Sequence, residues 1–172
     1  MIEAGRIDDA LSKLDSAEQD LDRIATGSAA DRNQRGYDYK TYAQIFLKKG
    51  DVSQSKRYAD MALNVFRQVR DDPKTTSKEL ARAIHRIGNI KHLRKDYDDA
   101  IDEYRLALAI FPKTPYGWHD LFLAYIDRAG AGGKVDLPAA QEAFQQARDN
   151  NDLKPYEIAA LQGLLTKYRV RP

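Results

Sequence analysis

Apolar residues recur along this chain at the spacing of one helical face, in blocks separated by breakers. The first stripe is Ile7, Ala10, Leu11, Leu14, Ala17, Leu21 and Ile24; it predicts a helix from Ile7 to about Ala25, ended by Thr26-Gly27-Ser28. After a polar stretch, Tyr39, Tyr42, Ala43 and Phe46 form a second stripe that stops at Lys48-Lys49-Gly50, a basic pair before glycine being a common helix end. A third helix, roughly Ser53 to Arg70, buries Ala59, Ala62, Val65, Phe66 and Val69 and is broken by Asp71-Asp72-Pro73. A fourth begins at Ser77 and carries Leu80, Ile84, Ile87, Gly88 and Ile90. Tyr97 starts a fifth, closed by Pro112, because proline has no N–H to continue a helix and disfavours helical geometry in the residue before it. Pro115 to Ala129 makes a sixth, with Trp118, Leu121, Phe122 and Tyr125 as its stripe. Asp136, with Pro138 in the first turn, starts a seventh, and Tyr156 to Tyr168 an eighth presenting Ile158, Leu161, Leu164 and Leu165. No segment alternates with period two, so no strand is predicted.

Four of these segments repeat one rule: a small residue, a variable one four later, and alanine three after that. The triplets are Ala10, Leu14 and Ala17; Ser55, Ala59 and Ala62; Ala100, Tyr104 and Ala107; Ala140, Phe144 and Ala147. Their segments open at Gly5, Gly50, Lys95 and Val135, successive spacings of 45, 45 and 40 residues. The pattern resembles the tetratricopeptide repeat (TPR) family, whose unit of about 34 residues is a helix, a turn and a helix. The best match runs from Ala81 to Pro112 through Ile84, Ile87, Gly88, Ala100, Tyr104, Ala107 and Pro112. Trp118, Leu121, Tyr125, Ala140, Phe144 and Ala147 match the following unit, and Tyr39, Tyr42, Ala43, Phe46, Ser55, Ala59 and Ala62 the preceding one. Departures are Lys91 in place of an aromatic or large apolar residue, extra turns between Phe66 and Leu80, and an insertion at Gly130-Ala131-Gly132-Gly133-Lys134. The resemblance implies an all-α, right-handed α-solenoid of antiparallel helix pairs. Its expected layout is one domain over 1–172, with a half repeat at 1–27, repeats at about 36–72, 78–113 and 115–152, and a capping helix at 155–170. The isolated half repeat suggests part of a larger protein.

Composition narrows the function classes. At 172 residues, 42% hydrophobic and 31% charged, the chain has the make-up of a folded domain. No apolar run approaches the roughly 18 residues of a spanning helix, and the opening residues lack a signal peptide's basic and apolar regions. With no cysteine, disulfides and thiolate chemistry are excluded, and a cytoplasmic location is expected. A net charge of +2 gives no global electrostatic case for nucleic acid or membrane surfaces.

Catalysis is not expected. His85, His92 and His119 are the only histidines, and no serine sits in a nucleophile motif. His85 and His92 stand seven apart with no acidic residue between them, so neither a metal nor another cofactor is expected. Asp98-Asp99 and Asp102-Glu103 read as the solvated first turns of a helix. The Gly130–Lys134 loop fails as a phosphate loop because Arg128 stands where that motif needs its first glycine.

In the family this chain resembles, the first helix of each pair lines a groove for an extended peptide. The corresponding candidates are Tyr37, Lys40, Gln44 and Lys48; then Arg82, His85, Arg86, Asn89 and His92; then Tyr116, His119, Leu123 and Asp127. Lys40 with Gln44, and Arg82 with Arg86, are similar to part of the family's carboxylate clamp, for which guanidinium is suited by its bidentate geometry. The expected function is therefore a non-catalytic protein-protein interaction module. It would hold a peptide or partner domain, with an acidic segment or C-terminal carboxylate, in a locally basic groove. The alternative is a regulatory or scaffold domain of a larger multidomain enzyme or signalling protein. An RNA-binding helical solenoid ranks below both because of the near-neutral charge, and self-association through the N-terminal half repeat is a further option.

Overall fold

The computed structural model describes residues 27–134, 136–150 and 153–169, with side chains up to residue 167. Among these residues the chain is all helical: α1 Ala29–Lys48, α2 Val52–Asp71, α3 Ser77–Leu93, α4 Tyr97–Ile110, α5 Gly117–Gly130, α6 Leu137–Asp149 and α7 Pro155–Arg169. The helix expected from Ile7 to Ala25 lies outside the described residues. The chain divides into two compact units, Met1–Asp71 and Asp72–Pro172. The division falls at the Asp71-Asp72-Pro73 breaker.

In the first unit, α1 begins ten residues before its aromatic stripe. The extra turns, Ala29 to Asp38, have no apolar periodicity, but they are started by a capping box. Asp31 N donates to Ser28 Oγ at 3.2 Å, and Ser28 N donates back to Asp31 Oδ2 at 3.0 Å. A short turn after Lys48 returns the chain as α2. Ser55 Oγ donates across the hairpin to the Ala43 carbonyl at 2.8 Å, and the Phe46 and Tyr58 rings stack 5.3 Å apart. Farther along, Gly36 lies against the Phe66 ring, which leaves no room for a Cβ. Pairing of Ala43 with Ser55 and of Gly36 with Phe66 makes the two helices antiparallel.

In the second unit each helix packs on the next, α3 through α7, and α3 also meets α5. The α3–α4 hairpin closes on Gly88, where a Cβ would stand 2.7 Å from Tyr104 Cε1 and 3.3 Å from the Ala100 carbonyl oxygen. Lys91 fills its position differently from the family pattern: its Nζ reaches across to Glu103 at 2.8 Å and to Asp99 at 3.6 Å. Pro112 ends α4 as expected, with Phe111 already extended at φ −144°. The chain leaves α5 through a hydrogen-bonded helix end. Gly132 takes φ +83°, and the Gly132 and Gly133 amides donate to the carbonyls of Ala129 and Arg128. Asp136 caps α6, accepting from Ala139 N at 3.2 Å. One apolar cluster runs from α4 to α7 through Tyr104, Leu108, Phe122, Phe144, Leu161 and Leu165; a second joins Ala81, Ile84 and Ala107. α7 buries Leu161 and Leu165 and leaves Gln162, Gly163 and Thr166 exposed.

Two glycines on helices test this packing. Gly88→Ala is expected to destabilise the fold by about 1–3 kcal/mol, because the buried Tyr104 ring has nowhere to move. Gly163→Ala meets nothing within 4 Å and is expected to stabilise by about 0.5–1 kcal/mol. Urea titrations followed by circular dichroism measure both, and shifts of the same sign would discount the close approach at Gly88.

Candidate functional site

All three histidines of the chain lie on one seam of the second unit, between α3 and α5. Residues 82, 85, 86, 89 and 92 fall on one face of α3 at helical spacing, and 116, 119, 120, 123 and 127 face them from α5 and its N-cap. His85 Nε2 lies 3.0 Å from Asp120 Oδ2, and His92 Nε2 lies 2.8 Å from Asp127 Oδ2. Both pairs are 35 residues apart in sequence, so α3 and α5 run parallel with two equivalent rungs seven residues apart. His119 Nδ1 adds a second imidazole to Asp120 Oδ1 at 2.9 Å. An ionised carboxylate only accepts hydrogen bonds, so each of these three nitrogens carries its proton.

Tyr104 joins the rungs from α4. Its hydroxyl donates to Asn89 Oδ1 at 2.7 Å and sits 3.5 Å from His92 Nδ1, while its ring lies 5.3 Å from that of His85. Burial, with Asp120 and Asp127 nearby, pushes the Tyr104 hydroxyl far above its ordinary range, so it acts only as a neutral donor. For Asp120 burial by itself raises the pKa. Hydrogen bonds and charge from His119 and His85 outweigh it and hold the carboxyl well below the usual carboxylate range.

These contacts sort the groove candidates. His85 is buried and Asn89 half-buried, and both are engaged internally: His85 holds α3 against α5 through Asp120, and Asn89 holds α3 against α4 through Tyr104. His119 is half-buried beside Tyr116, whose ring meets it edge-on at 6.4 Å and is 56% exposed. Arg82 and Arg86 are half-buried on the same α3 face, and Arg82 has no ion pair among the described residues. Tyr37, Lys40, Gln44 and Lys48 belong to the first unit. There Lys40 Nζ lies 4.7 Å over the Tyr37 ring, and Gln44 and Lys48 are exposed. Asp120 was absent from the sequence-based candidates although it bridges two histidines; the common offset of His85 from Asp120 and of His92 from Asp127 was the signal for it.

Among the described residues no three or more acidic or imidazole groups are gathered for a metal ion, and no helix is long and apolar enough to cross a membrane. No known family pattern matches the chain, and no characterised protein emerges as a relative.

Removing the bridging carboxylate separates its effects. In Asp120→Asn the amide can accept from only one imidazole N–H, and the buried donor left over is expected to cost about 1–3 kcal/mol. Because Asp120 has a depressed pKa in the fold, its contribution is complete above the unfolded value of about 4 and fades as the pH falls further. The stability gap between wild type and Asp120→Asn should therefore narrow steadily as the pH is lowered below about 4 in urea melts. A constant gap would show that the carboxylate's ionisation is not what the imidazoles stabilise.

Proposed function

We propose that the chain is a non-catalytic protein-interaction module, an α-solenoid of the tetratricopeptide type, whose α3–α5 face binds an extended acidic peptide or acidic chain terminus. Stacked antiparallel helices with a glycine contact inside the α3–α4 pair support the repeat reading, as does the parallel run of α3 and α5 at a 35-residue offset. One observation carries the ligand class. The face's carboxylates, Asp120 and Asp127, are each committed to imidazoles, while Arg82 on the same face has no ion pair among the described residues. The guanidinium of Arg82 is thus a charge that this face leaves to a partner, and beside an exposed tyrosine ring it suits a carboxylate with a neighbouring flat or apolar group.

The experiment is a titration with hexaglutamate, read through the fluorescence of Trp118, the only tryptophan, which sits in the first turn of α5. Arg82→Ala is expected to weaken binding by roughly tenfold, a charge-assisted contact being lost. Helicity should be unchanged and hexalysine should not bind. Equal affinity of wild type and variant would remove the α3–α5 face as the binding surface.

A further inference from the structure

Each imidazole of the α3–α5 seam is tied to a carboxylate through one ring nitrogen. His85 and His92 use Nε2, on Asp120 at 3.0 Å and on Asp127 at 2.8 Å; His119 uses Nδ1, on Asp120 at 2.9 Å. A further proton goes to the other nitrogen of each ring, which turns the ring into a cation and keeps its bond to the aspartate. Imidazole is the side chain whose ordinary titration falls between about pH 5 and 8, so mild acidification acts on this seam before it acts elsewhere.

The groups around the three rings fix what that proton changes. Burial alone would raise the Asp120 carboxyl, but hydrogen bonds from His119 and His85 overcome it and keep the group ionised. From α4, Tyr104 and Tyr97 face the seam, the Tyr97 ring meeting that of His92 edge-on at 5.5 Å. Burial pushes both hydroxyls up, with Asp120 and Asp127 adding to it at Tyr104 and Asp127 at Tyr97, so both stay neutral. The acids of α4 lie elsewhere: Asp98 pairs with Arg128, Asp99 and Glu103 pair with Lys91, and Asp102 is exposed. On the other side of α5, α6 brings Phe144 against Phe122, and its Glu142, Arg148 and Asp149 are exposed. Arg82 and Arg86 share the α3 face as permanent cations. With neutral imidazoles these two arginines balance Asp120 and Asp127; with all three rings protonated the face is left with three positive charges. His92 and His119 are half-buried, so a ligand lying on the face feels their charge.

We propose that the three histidines make the α3–α5 face a proton-gated site: acidification from about pH 7.5 to about pH 5.5 charges the seam without breaking it, and an acidic peptide is then held more tightly. This rests on the peptide-binding reading of that face and adds its regulation. Linkage makes the effect reciprocal. A bound acidic peptide favours the protonated rings, so binding near about pH 6.5 draws protons from the solvent.

Hexaglutamate titrations followed through Trp118 at about pH 7.5 and about pH 5.5 test the gate, the ligand's own side chains being largely ionised at both. Affinity is expected to rise about eightfold at the lower pH, roughly twofold for each imidazolium. Calorimetry in buffers of differing ionisation enthalpy should show net proton uptake on binding, a readout that needs no variant. Glutamine keeps an N–H for the aspartate and takes no charge, so His92→Gln and His119→Gln, each checked for unchanged helicity, should cut the gain to about fourfold. Arg82→Ala should weaken binding at both pH values and leave their ratio alone. If hexaglutamate binds equally at the two pH values while Arg82→Ala still weakens it, the gate fails and the peptide reading stands. A gain that persists in full in both glutamine variants, or binding without proton uptake, also overturns the gate. If hexaglutamate binds at neither pH, both readings fail.

Discussion

The second unit depends on how closely α4 can approach α3. Without a side chain at Gly88 the Tyr104 ring packs close against α3, and its hydroxyl then reaches Asn89 and comes near His92. The same ring belongs to the cluster that seats α5, so the depth of this one contact sets where Asp120 and Asp127 arrive opposite His85 and His92. An apolar contact thus determines the geometry of a polar one. A larger residue at position 88 would push α4 outward and carry α5 with it.

The imidazole and carboxylate rungs do a different job from the apolar cluster. Buried or half-buried polar pairs add little net stability, since desolvation offsets much of the attraction. They discriminate strongly between registers, however. Slipping α5 by one turn relative to α3 moves Asp120 and Asp127 past both histidines at once, because the rungs repeat every two turns and share one offset.

Much of the architecture was legible in the chain. The apolar stripes and breakers from Ser53 onward placed the starts of α2 to α7 and the ends of α2, α4, α5 and α7 within a residue or two of their observed bounds, because those helices each bury one face. The first turns of α1 were not legible, since Ala29 to Asp38 carry no apolar period and depend on the Ser28 and Asp31 capping box. The face of α3 was readable as Arg82, His85, Arg86, Asn89 and His92, but their internal pairing was not. Acidic residues on a helix look solvated in sequence, and nothing local distinguishes Asp120, held by two imidazoles, from an exposed aspartate such as Asp102. Only the shared 35-residue offset between partners marks the difference.

Among the described residues two that are not glycine adopt left-handed backbone, Lys95 at φ +68° between α3 and α4 and Tyr116 at φ +59° between α4 and α5. Each costs about 1–2 kcal/mol relative to an ordinary turn. Both joints flank α4, so neither hairpin is favoured by its own turn while the chain is still unfolded. The turns become favourable only once Tyr104 and Leu108 are in place to hold the helices together. α4 is thus the element whose docking couples its neighbours, and the two hairpins it shares would form in one cooperative step rather than zip up in sequence order.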